Sequence, residues 1–567
     1  MAQESATGAM ELTFGNDATA DKAAAYKTVG ATSVESYVPW ADVEPAENQW
    51  DWSKWDKQVA ILRGAGLKWV PLLIAGPAYA TPLWFQAGPH SHFYRRIEDG
   101  AQSRVQSIFN PDMRQYVERF INAFADHYRD SGSLESVLLG ISGVFGESIY
   151  PIGPVGGWTT KLTGEYPKEK GWWMGDPYAV AAFRDAMRKK YGDIGTLNGA
   201  WRAGYHSFDN VAPFQAEGAP SDVARRDFVE WSEQAMTDWA AFWAATARKA
   251  FPNAEIYLCT GGNGDPINGA DFTAQAAAIS KYGVGMRITN EADRYGRNFT
   301  VTREVATATR FYGTYCGFEP ATTNLVATGV AARIYNATTS GARGLYFYDG
   351  NIFSSADNVA ELKENIEWLR PRKPEVAVAY YLSRESWELQ PELIPSCYQD
   401  SGYLRQIVDQ DYVTRLTIGD GILKNYRALV IADSPVLEPQ VAAAIERWVD
   451  GGGILINLTR DGEPLGSRLY DDRAWRARMF AHGLGGLFNR SQVTRVQNGY
   501  TIQVDVTDHS LPTAQFLGSI LHNSPVRFPG RDPLAPPGSG PGAPFMTVMG
   551  RGILWYSPAD GRIGMTQ

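Results

Sequence analysis

The chain has 567 residues and a formal net charge of −9, with 44% hydrophobic and 20% charged residues. This composition predicts a globular protein and excludes an intrinsically disordered one. The acidic balance, with no run of basic residues, argues against nucleic acid and against an anionic membrane surface as partners. The 18 tryptophans are a surplus that fits either sugar binding on aromatic rings or the filling of a large core.

The numbers of cysteines and histidines and the lengths of the apolar runs exclude several classes of site. Three cysteines cannot form a disulfide framework. The seven histidines do not form a metal-binding cluster, so neither a structural metal nor a cofactor is predicted. No apolar run approaches the length of a membrane-spanning helix, and the first residues lack the pattern of a signal peptide. We therefore expect a soluble protein, while the sequence leaves open whether it is cytoplasmic or exported.

Strand and helix patterns alternate through the first 370 residues. Strands are predicted at residues 11–16, 31–40, 67–76, 136–147, 254–261, 284–289, 311–318 and 342–348. The clearest helical patterns lie at residues 111–130, 176–192 and 227–251, and an insertion rich in Gly, Pro and Trp spans 151–176. Eight strands, each followed by a helix or a long loop, predict a (β/α)8 TIM barrel. The alternative, an open doubly wound sheet, is less favoured because no glycine-rich phosphate loop follows the first strand.

A domain boundary is predicted near PRKPE, at residues 371–375. Beyond it, strand patterns at 375–381, 426–434 and 454–459 alternate with a helix at 437–453, which predicts a smaller α/β domain with a parallel sheet. Residues 529–544 are predicted to be a loop or disordered, and 546–557 a hairpin. We divide the chain into a catalytic barrel at 1–370, an α/β domain at 371–495 and a β or irregular segment at 496–567.

Two glutamates are the strongest catalytic candidates, because catalytic groups of TIM barrels lie at the carboxyl ends of strands. Glu147 follows the apolar run LLGISGVFG at the end of the fourth predicted strand, where Gly143 and Gly146 allow a close approach to the backbone. Apolar surroundings predict a raised pKa for this carboxyl, as a general acid needs. Glu319 ends the seventh strand, immediately before Pro320.

Carboxylates on strands four and seven face each other across a barrel mouth, which is the arrangement that hydrolyses a glycosidic bond. Each glutamate could instead be a structural residue of the barrel rim. Glu291 competes with Glu319, but its neighbours Asp293 and Arg294 indicate a solvated ion-pair cluster. The motifs of serine hydrolases and zinc proteases are absent from the sequence.

Aromatic and polar side chains at the same face are the candidates for binding the sugar. Each single aromatic residue there is more often a packing residue than a sugar platform. The candidates are Trp40, Glu44, Trp84, Trp158, Trp172, Asn263, Arg287, Asn290, Tyr348 and Asp349.

Four segments together resemble the family 42 β-galactosidases of the clan A glycoside hydrolases. They are YVPWADVEPAENQWDW (37–52), FRDAMRKKYGDIGTLNGAW (183–201), GARGLYFYDG (341–350) and YRALVIADS (426–434). The resemblance covers most of residues 10–460 and implies a TIM barrel followed by a flavodoxin-like domain that supports a homo-oligomer, a trimer or a dimer. It also implies a retaining mechanism with Glu319 as nucleophile and Glu147 as acid/base, their carboxyl groups about 5 Å apart.

One position departs from that family. The family has Asn immediately before the acid/base, where it bonds the sugar 2-hydroxyl, whereas this chain has Gly146. The segment GVFGESIYP (143–151) instead resembles the β-amylases, which invert. Another donor such as Asn263, Arg287 or Asn290 could replace the missing amide. The sugar therefore stays open, and two alternatives remain: an inverting β-amylase-like glycosidase, or a non-catalytic barrel that binds glycan.

Overall fold

The structure is a computed structural model of the chain. It describes residues 10–77, 79–151, 170–290, 295–320, 325–405, 408–432, 434–459, 491–496, 499–505, 545–549, 552–557 and 561–566.

Parallel strands close into a barrel in the order β1-β10-β9-β8-β7-β6-β3-β2, which confirms the predicted (β/α)8 TIM barrel. The barrel strands are β1 (Glu11–Gly15), β2 (Ser33–Pro39), β3 (Lys68–Ile74), β6 (Ser136–Gly140), β7 (Glu255–Thr260), β8 (Gly285–Asn290), β9 (Cys316–Pro320) and β10 (Gly344–Tyr348). A short antiparallel pair lies between β3 and β6 in the chain and consists of β4 (Phe93–Arg95) and β5 (Gln102–Gln106).

Helices follow the barrel strands. They are α1 (Ala20–Thr28), α2 (Trp40–Val43), α3 (Ser53–Gly64), α4 (Leu83–Gln86), α5 (Pro111–Tyr128), α6 (Pro177–Tyr191), α7 (Ile194–Trp201), α8 (Asp222–Ala250), α9 (Phe272–Ser280), α10 (Tyr295–Phe311), α11 (Ala327–Ser340), α12 (Asp349–Phe353) and α13 (Ala356–Asn365).

Helix α5 illustrates how local sequence sets these elements. Asn110 precedes it, and its side-chain oxygen accepts a hydrogen bond from the backbone N–H of Asp112 at 3.1 Å. Pro111 occupies the first helical position, where no backbone N–H is needed. Phe120 and Phe124 then recur on one buried face. The helix therefore begins at a cap and packs against the barrel through an apolar stripe.

Alternate residues of each barrel strand point inwards. The residues that point inwards are apolar on one side of the barrel and polar on the other. Strands β3, β6 and β7 contribute an apolar cluster that includes Leu72, Leu138 and Tyr257. The other half is polar, and it buries Glu11, Thr13, Ser33, Glu35, Arg287 and Glu319. This polar half lies beneath the predicted catalytic face, so the barrel places charged groups where the candidate site is expected.

Two strand ends differ from the sequence prediction. Strand β6 ends at Gly140, although 136–147 was predicted to be extended. The chain turns back because Gly143 and Gly146 have φ values of +65° and +116°, and the Ile141 N–H bonds the Gly146 carbonyl at 2.8 Å. Near the seventh predicted strand, helix α10 continues to residue 311, so β9 spans only Cys316–Pro320.

A second sheet follows the barrel and has five parallel strands and one antiparallel edge strand, in the order β12-β11-β13-β14-β16-β15. The five parallel strands have the 2-1-3-4-5 order of flavodoxin-like folds. The elements are β11 (Val378–Tyr381), α14 (Arg384–Leu389), α15 (Ile394–Arg405), β12 (Asp411–Val413), α16 (Arg415–Gly419), β13 (Ala428–Ala432), α17 (Pro439–Asp450), β14 (Ile454–Thr459), β15 (Ser491–Val496) and β16 (Gly499–Asp505).

A three-stranded antiparallel sheet comes last in the chain, with strands β17 (Phe545–Met549), β18 (Gly552–Tyr556) and β19 (Ile563–Thr566). The predicted hairpin at 546–557 corresponds to β17 and β18, and β19 adds a third strand. The sheet packs on helix α11, where the Tyr556 hydroxyl donates to the Thr328 carbonyl at 3.0 Å. The predicted loop at 529–544 lies outside the described residues, as does most of the 151–176 insertion. In the described part of the chain, no helix combines the length and apolarity needed to cross a bilayer.

Candidate active site

A buried arginine joins two carboxylates inside the barrel. Arg287 of β8 places Nε 3.0 Å from a carboxylate oxygen of Glu319 on β9, and its terminal nitrogen lies 2.8 Å from a carboxylate oxygen of Glu35 on β2. All three side chains are nearly inaccessible to solvent. The strand pattern thus fixes a charged group directly beside the predicted nucleophile.

Burial and the shared arginine act in opposite directions on these carboxyl groups. Burial raises the pKa of Glu319 above its ordinary value, and the Arg287 guanidinium offsets only part of that rise. Burial raises the pKa of Glu35 to about 8, with Arg287 opposing and Glu319 adding to the rise. Deeper in the barrel, burial raises the pKa of Glu11 to about 7. One guanidinium therefore faces more carboxyl groups than it can neutralise, which favours a neutral Glu35 at physiological pH.

Glu147 lies seven residues beyond the end of β6, on the turn that contains Gly143 and Gly146. Its side chain packs against two glycines, Gly143 and Gly261. A Cβ on Gly143 would lie 3.1 Å from its carboxylate oxygen Oε2, and a Cβ on Gly261 would lie 3.0 Å from its Cγ. The two glycines therefore form a slot for this side chain at the ends of β6 and β7.

Gly146 has a backbone conformation that accounts for its departure from the family pattern. Its φ of +116° lies in a region that residues with a side chain rarely adopt, and a Cβ there would lie 3.2 Å from Cα of Gly140. An asparagine cannot enter this position without moving the turn. The φ of Gly146 and its close approach to Gly140 therefore favour glycine at this position.

Both candidate carboxylates act electrostatically on the same neighbours. Burial raises the pKa of Tyr348 well above its ordinary value, and the charges of Glu319, Glu35 and Glu147 add to the rise. Burial likewise raises the pKa of the Cys259 thiol, with Glu319 and Glu147 contributing in the same direction. The charges of Glu147 and Glu319 therefore both act on the pKa values of Tyr348 and Cys259.

Three predicted sugar-binding residues form a packed cluster. The indole N–H of Trp40 donates to the Glu44 carboxylate at 2.6 Å, and the indole N–H of Trp84 donates to the Glu44 carbonyl at 2.9 Å. Arg119 of α5 donates to both carboxylate oxygens of Glu44. Trp40 and Glu44 are fully buried, so within this conformation they position the loop after β2, and only the half-buried Trp84 exposes part of its ring.

The other candidates occupy varied positions. Trp172 is buried with its ring 4.9 Å from that of Phe228, and the side chain of Asn263 is exposed. Tyr348 is half-buried at the end of β10, and the adjacent Asp349 forms an ion pair with Lys22 at 2.6 Å. The described structure therefore brings Arg287, Glu319, Tyr348 and Glu147 together and leaves Trp172 in the core.

Three predicted residues lie wholly or partly outside the described part of the chain. Trp158 and the competing carboxylate Glu291 lie outside the described residues. Asn290 ends β8 and is in register with Pro320, but its side chain is outside the described part. Among the described residues, no group of three His, Cys, Asp or Glu side chains is arranged to hold a metal ion.

Glu35 is the site residue that the sequence analysis missed. Its signal was available, because Ser33, Glu35 and Tyr37 alternate with Val34, Ser36 and Val38 along β2. Alternation in a barrel strand places one set inside. A carboxylate in the middle of such a strand needs a buried partner, and Arg287 is the interior arginine that supplies it.

A comparison with protein families matches residues 13–139 to a family 42 glycoside hydrolase model described as β-galactosidase. Among curated proteins, the chain is 26% identical over 263 residues to a thermophilic β-amylase from Thermoanaerobacterium thermosulfurigenes, covering 43% of this chain and 46% of that protein. The matches to curated relatives span about half of their length or less.

Solved structures share the fold. A cold-adapted β-galactosidase from Rahnella sp. R3 aligns with a TM-score of 0.70 and 12% identity, covering 98% of this chain and 93% of that one. The catalytic domain of β-amylase from Paenibacillus polymyxa aligns with a TM-score of 0.53 and 18% identity, covering 64% of this chain and 98% of that one. The resemblance to family 42 and the local likeness to β-amylases, both predicted from the sequence, are confirmed by these comparisons.

Proposed function

We propose that the chain is a glycoside hydrolase in which Glu319 is the nucleophile and Glu147 the acid/base of a retaining double displacement. The observation that carries this proposal is the ion pair of Arg287 with Glu319 at the end of the seventh barrel strand. A buried carboxyl group needs such a partner to remain ionised, and an ionised carboxylate is what attacks the anomeric carbon. The fold and the matched family model support the same assignment.

The two carboxylates have different surroundings, as their roles require. Glu319 lies in the interior beside a guanidinium, which favours its charged form. Glu147 lies on a glycine-lined turn at the mouth, where a leaving-group oxygen would enter. In the first step Glu319 attacks the anomeric carbon while Glu147 gives its proton to the departing oxygen. In the second step Glu147 takes a proton from a water molecule whose oxygen attacks the anomeric carbon, and the bond between that carbon and the Glu319 carboxylate breaks.

The substrate that we propose is a β-galactoside-like glycoside or oligosaccharide. The match to the Rahnella β-galactosidase covers 98% of this chain and so includes the second domain, whereas the match to the β-amylase catalytic domain covers 64%. By the same resemblance we propose a homo-oligomer, a trimer or a dimer, with the second domain in the contact. Of the predicted sugar contacts, Arg287 and Tyr348 lie beside the carboxylates, and Trp84 retains an accessible edge.

A second candidate is an inverting β-amylase-like glycosidase. The Gly146 backbone favours it, because that conformation excludes the amide that binds the 2-hydroxyl in family 42. The sequence relatives among β-amylases point the same way. In this alternative Glu147 remains the acid, and a carboxylate activates water instead of attacking the sugar.

The test is a panel of aryl glycosides (galactoside, glucoside, mannoside and arabinoside, both anomers) together with maltooligosaccharides. Proton NMR of the first product reports its anomeric configuration. We expect hydrolysis of a β-glycoside with a β-configured first product. An α-glucan substrate that gives a β-configured product would establish the inverting alternative, and binding without hydrolysis across the panel would contradict both.

A further inference from the structure

The loop between β7 and α9 is held in place by the second domain. Arg384, which begins α14 and is 1% exposed, donates to the backbone carbonyl of Gly264 and, at 3.4 Å, to that of Ala270. The same guanidinium forms an ion pair with Glu233 of α8. The Tyr398 hydroxyl of α15 donates to the Asn263 carbonyl at 2.6 Å. Residues 261–271, named the β7–α9 loop below, are thus bonded to the second domain at both ends.

The β7–α9 loop and its flanks also hold the segment that carries Glu147. The backbone N–H of Ser148 donates to the Cys259 carbonyl at 3.0 Å, and that of Tyr150 donates to the Asn268 carbonyl at 2.9 Å. The Gln275 side-chain amide donates to the Ser148 carbonyl at 3.1 Å. The residues that follow Glu147 therefore take their position from β7, the loop and α9.

Contacts across this junction are tight. A Cβ on Gly261 would lie 3.0 Å from Cγ of Glu147 and 2.5 Å from Oγ1 of Thr289. A Cβ on Gly269, whose φ is +75°, would lie 2.4 Å from the ring of Tyr150. Since no slack separates loop and side chain, a displacement of the loop moves the Glu147 carboxylate as well.

We propose that Arg384 is a positioning residue, through which the second domain fixes the β7–α9 loop and so the orientation of Glu147. This inference rests on the proposed function, in which Glu147 protonates the leaving group. The planar guanidinium suits the task, because its donors reach two carbonyls and one carboxylate at fixed angles. The second domain is then part of the catalytic apparatus and not only an oligomerisation module.

If Arg384 only held the two domains together, any other buried arginine between them should behave in the same way. Arg303 of α10 is also fully buried and pairs with Asp409 and Asp411 of the second domain. Among the described residues, Arg303 makes no hydrogen bond or ion pair to the β7–α9 loop. Arg303→Gln is therefore a matched control for Arg384→Gln, since each removes one buried cross-domain arginine.

The experiment measures kcat/KM for a series of aryl glycosides with leaving groups from acidic to weakly acidic phenols, using the full chain. We expect Arg384→Gln to lose about 10- to 100-fold on poor leaving groups and to stay within about threefold of wild type on good ones, which need no acid. Arg384→Lys should lie between the two. Equal losses on good and poor leaving groups, or the same pattern in Arg303→Gln, would overturn the proposal.

A second readout does not depend on activity. Hydrogen exchange followed by mass spectrometry reports the protection of the Ser148 and Tyr150 amides and of the β7–α9 loop. We expect faster exchange there in Arg384→Gln and Arg384→Lys, and wild-type exchange in Arg303→Gln. Unchanged exchange in both Arg384 variants refutes the positioning role, whereas a wild type that cleaves no glycoside refutes the proposed function. If Arg384→Gln does not fold, the same measurements on Arg384→Lys test the positioning role.

Discussion

At the scale of single residues, the central feature is one guanidinium shared by Glu35 and Glu319. From the sequence, Glu319 was predicted at a strand end and Arg287 as a sugar contact. Their pairing was not predicted, because the two residues are far apart in the sequence and meet only when β8 and β9 lie side by side. Once the barrel is closed, Arg287 and Glu319 lie on adjacent strands with their side chains inside.

Arg287→Met should weaken both stability and catalysis. Two buried carboxyl groups would lose their cation, at a cost of about 3–5 kcal/mol in the free energy of unfolding. Arg287 lowers the pKa of Glu319, so its loss should move the acidic limb of the kcat/KM profile to higher pH. Urea unfolding and a pH–rate profile check this. Arg343→Gln, which breaks an exposed pair with Glu255, is the control and should change stability by less than about 1 kcal/mol. An unmoved acidic limb in Arg287→Met would contradict the pairing.

Glu35 should make stability fall with rising pH. Folding raises its pKa from 4.5 to about 8, so the folded chain holds a proton that the unfolded chain releases. The stabilisation is fully present below pH 4.5 and is lost as the pH rises through 8. Glu35→Gln cannot ionise, and the difference in unfolding free energy between pH 5 and pH 8 should shrink relative to wild type. An identical difference in both proteins would refute the raised pKa.

At the scale of elements, the eight barrel strands were predictable, and the ends of some of them were not. Apolar runs separated by amphipathic helices indicated eight barrel strands, and β1, β7 and β14 lie within one residue of their predicted bounds. Strand β6 is shorter than its apolar pattern, because ISGVFG continues the pattern while its glycines turn the chain. Glu147 was predicted at the end of this strand, but the strand stops seven residues before it.

Gly146→Asn tests whether the turn excludes the family's amide. The positive φ and the close approach to Gly140 should destabilise the fold by about 1–3 kcal/mol and displace Glu147, so turnover should fall. Gly132→Ala is the control, since Gly132 has a φ of +69° and open space around it, far from the site. Thermal unfolding and turnover are measured for both. Full activity in Gly146→Asn would show that the turn accommodates a side chain.

At the scale of the whole molecule, the barrel and the second domain are joined by buried ion pairs. Arg226 of α8 pairs with Glu388 of α14 at 2.9 Å and with Glu438, and within the second domain Arg415 also pairs with Glu388 at 2.7 Å. Neither this interface nor its ion pairs could be predicted from the sequence, because the charged residues are distant in sequence and belong to separate elements. The resemblance to family 42 gave the order of the domains but not their contacts.

Arg226→Met should uncouple the unfolding of the two domains. It leaves the fully buried Glu388 with one cation instead of two, and we expect a loss of about 3–5 kcal/mol. Differential scanning calorimetry should give one transition for the wild type and a split or broadened one for the variant. Lys249→Gln, which removes an exposed pair with Glu118 within the barrel, is the control. A variant that unfolds like the wild type would contradict an interface held by these charges.

The central claim is that Glu319 and Glu147 divide the work of cleaving a glycosidic bond. The most direct measurement is turnover of the aryl glycoside panel by Glu319→Gln and Glu147→Gln. The control is Glu255→Gln, because Glu255 begins β7 at the end of the barrel away from the mouth. The account predicts that Glu319→Gln loses at least about 10³-fold on every substrate, that Glu147→Gln retains the first step for good leaving groups, and that Glu255→Gln matches the wild type. A Glu319→Gln variant with a rate near that of the wild type would contradict the account.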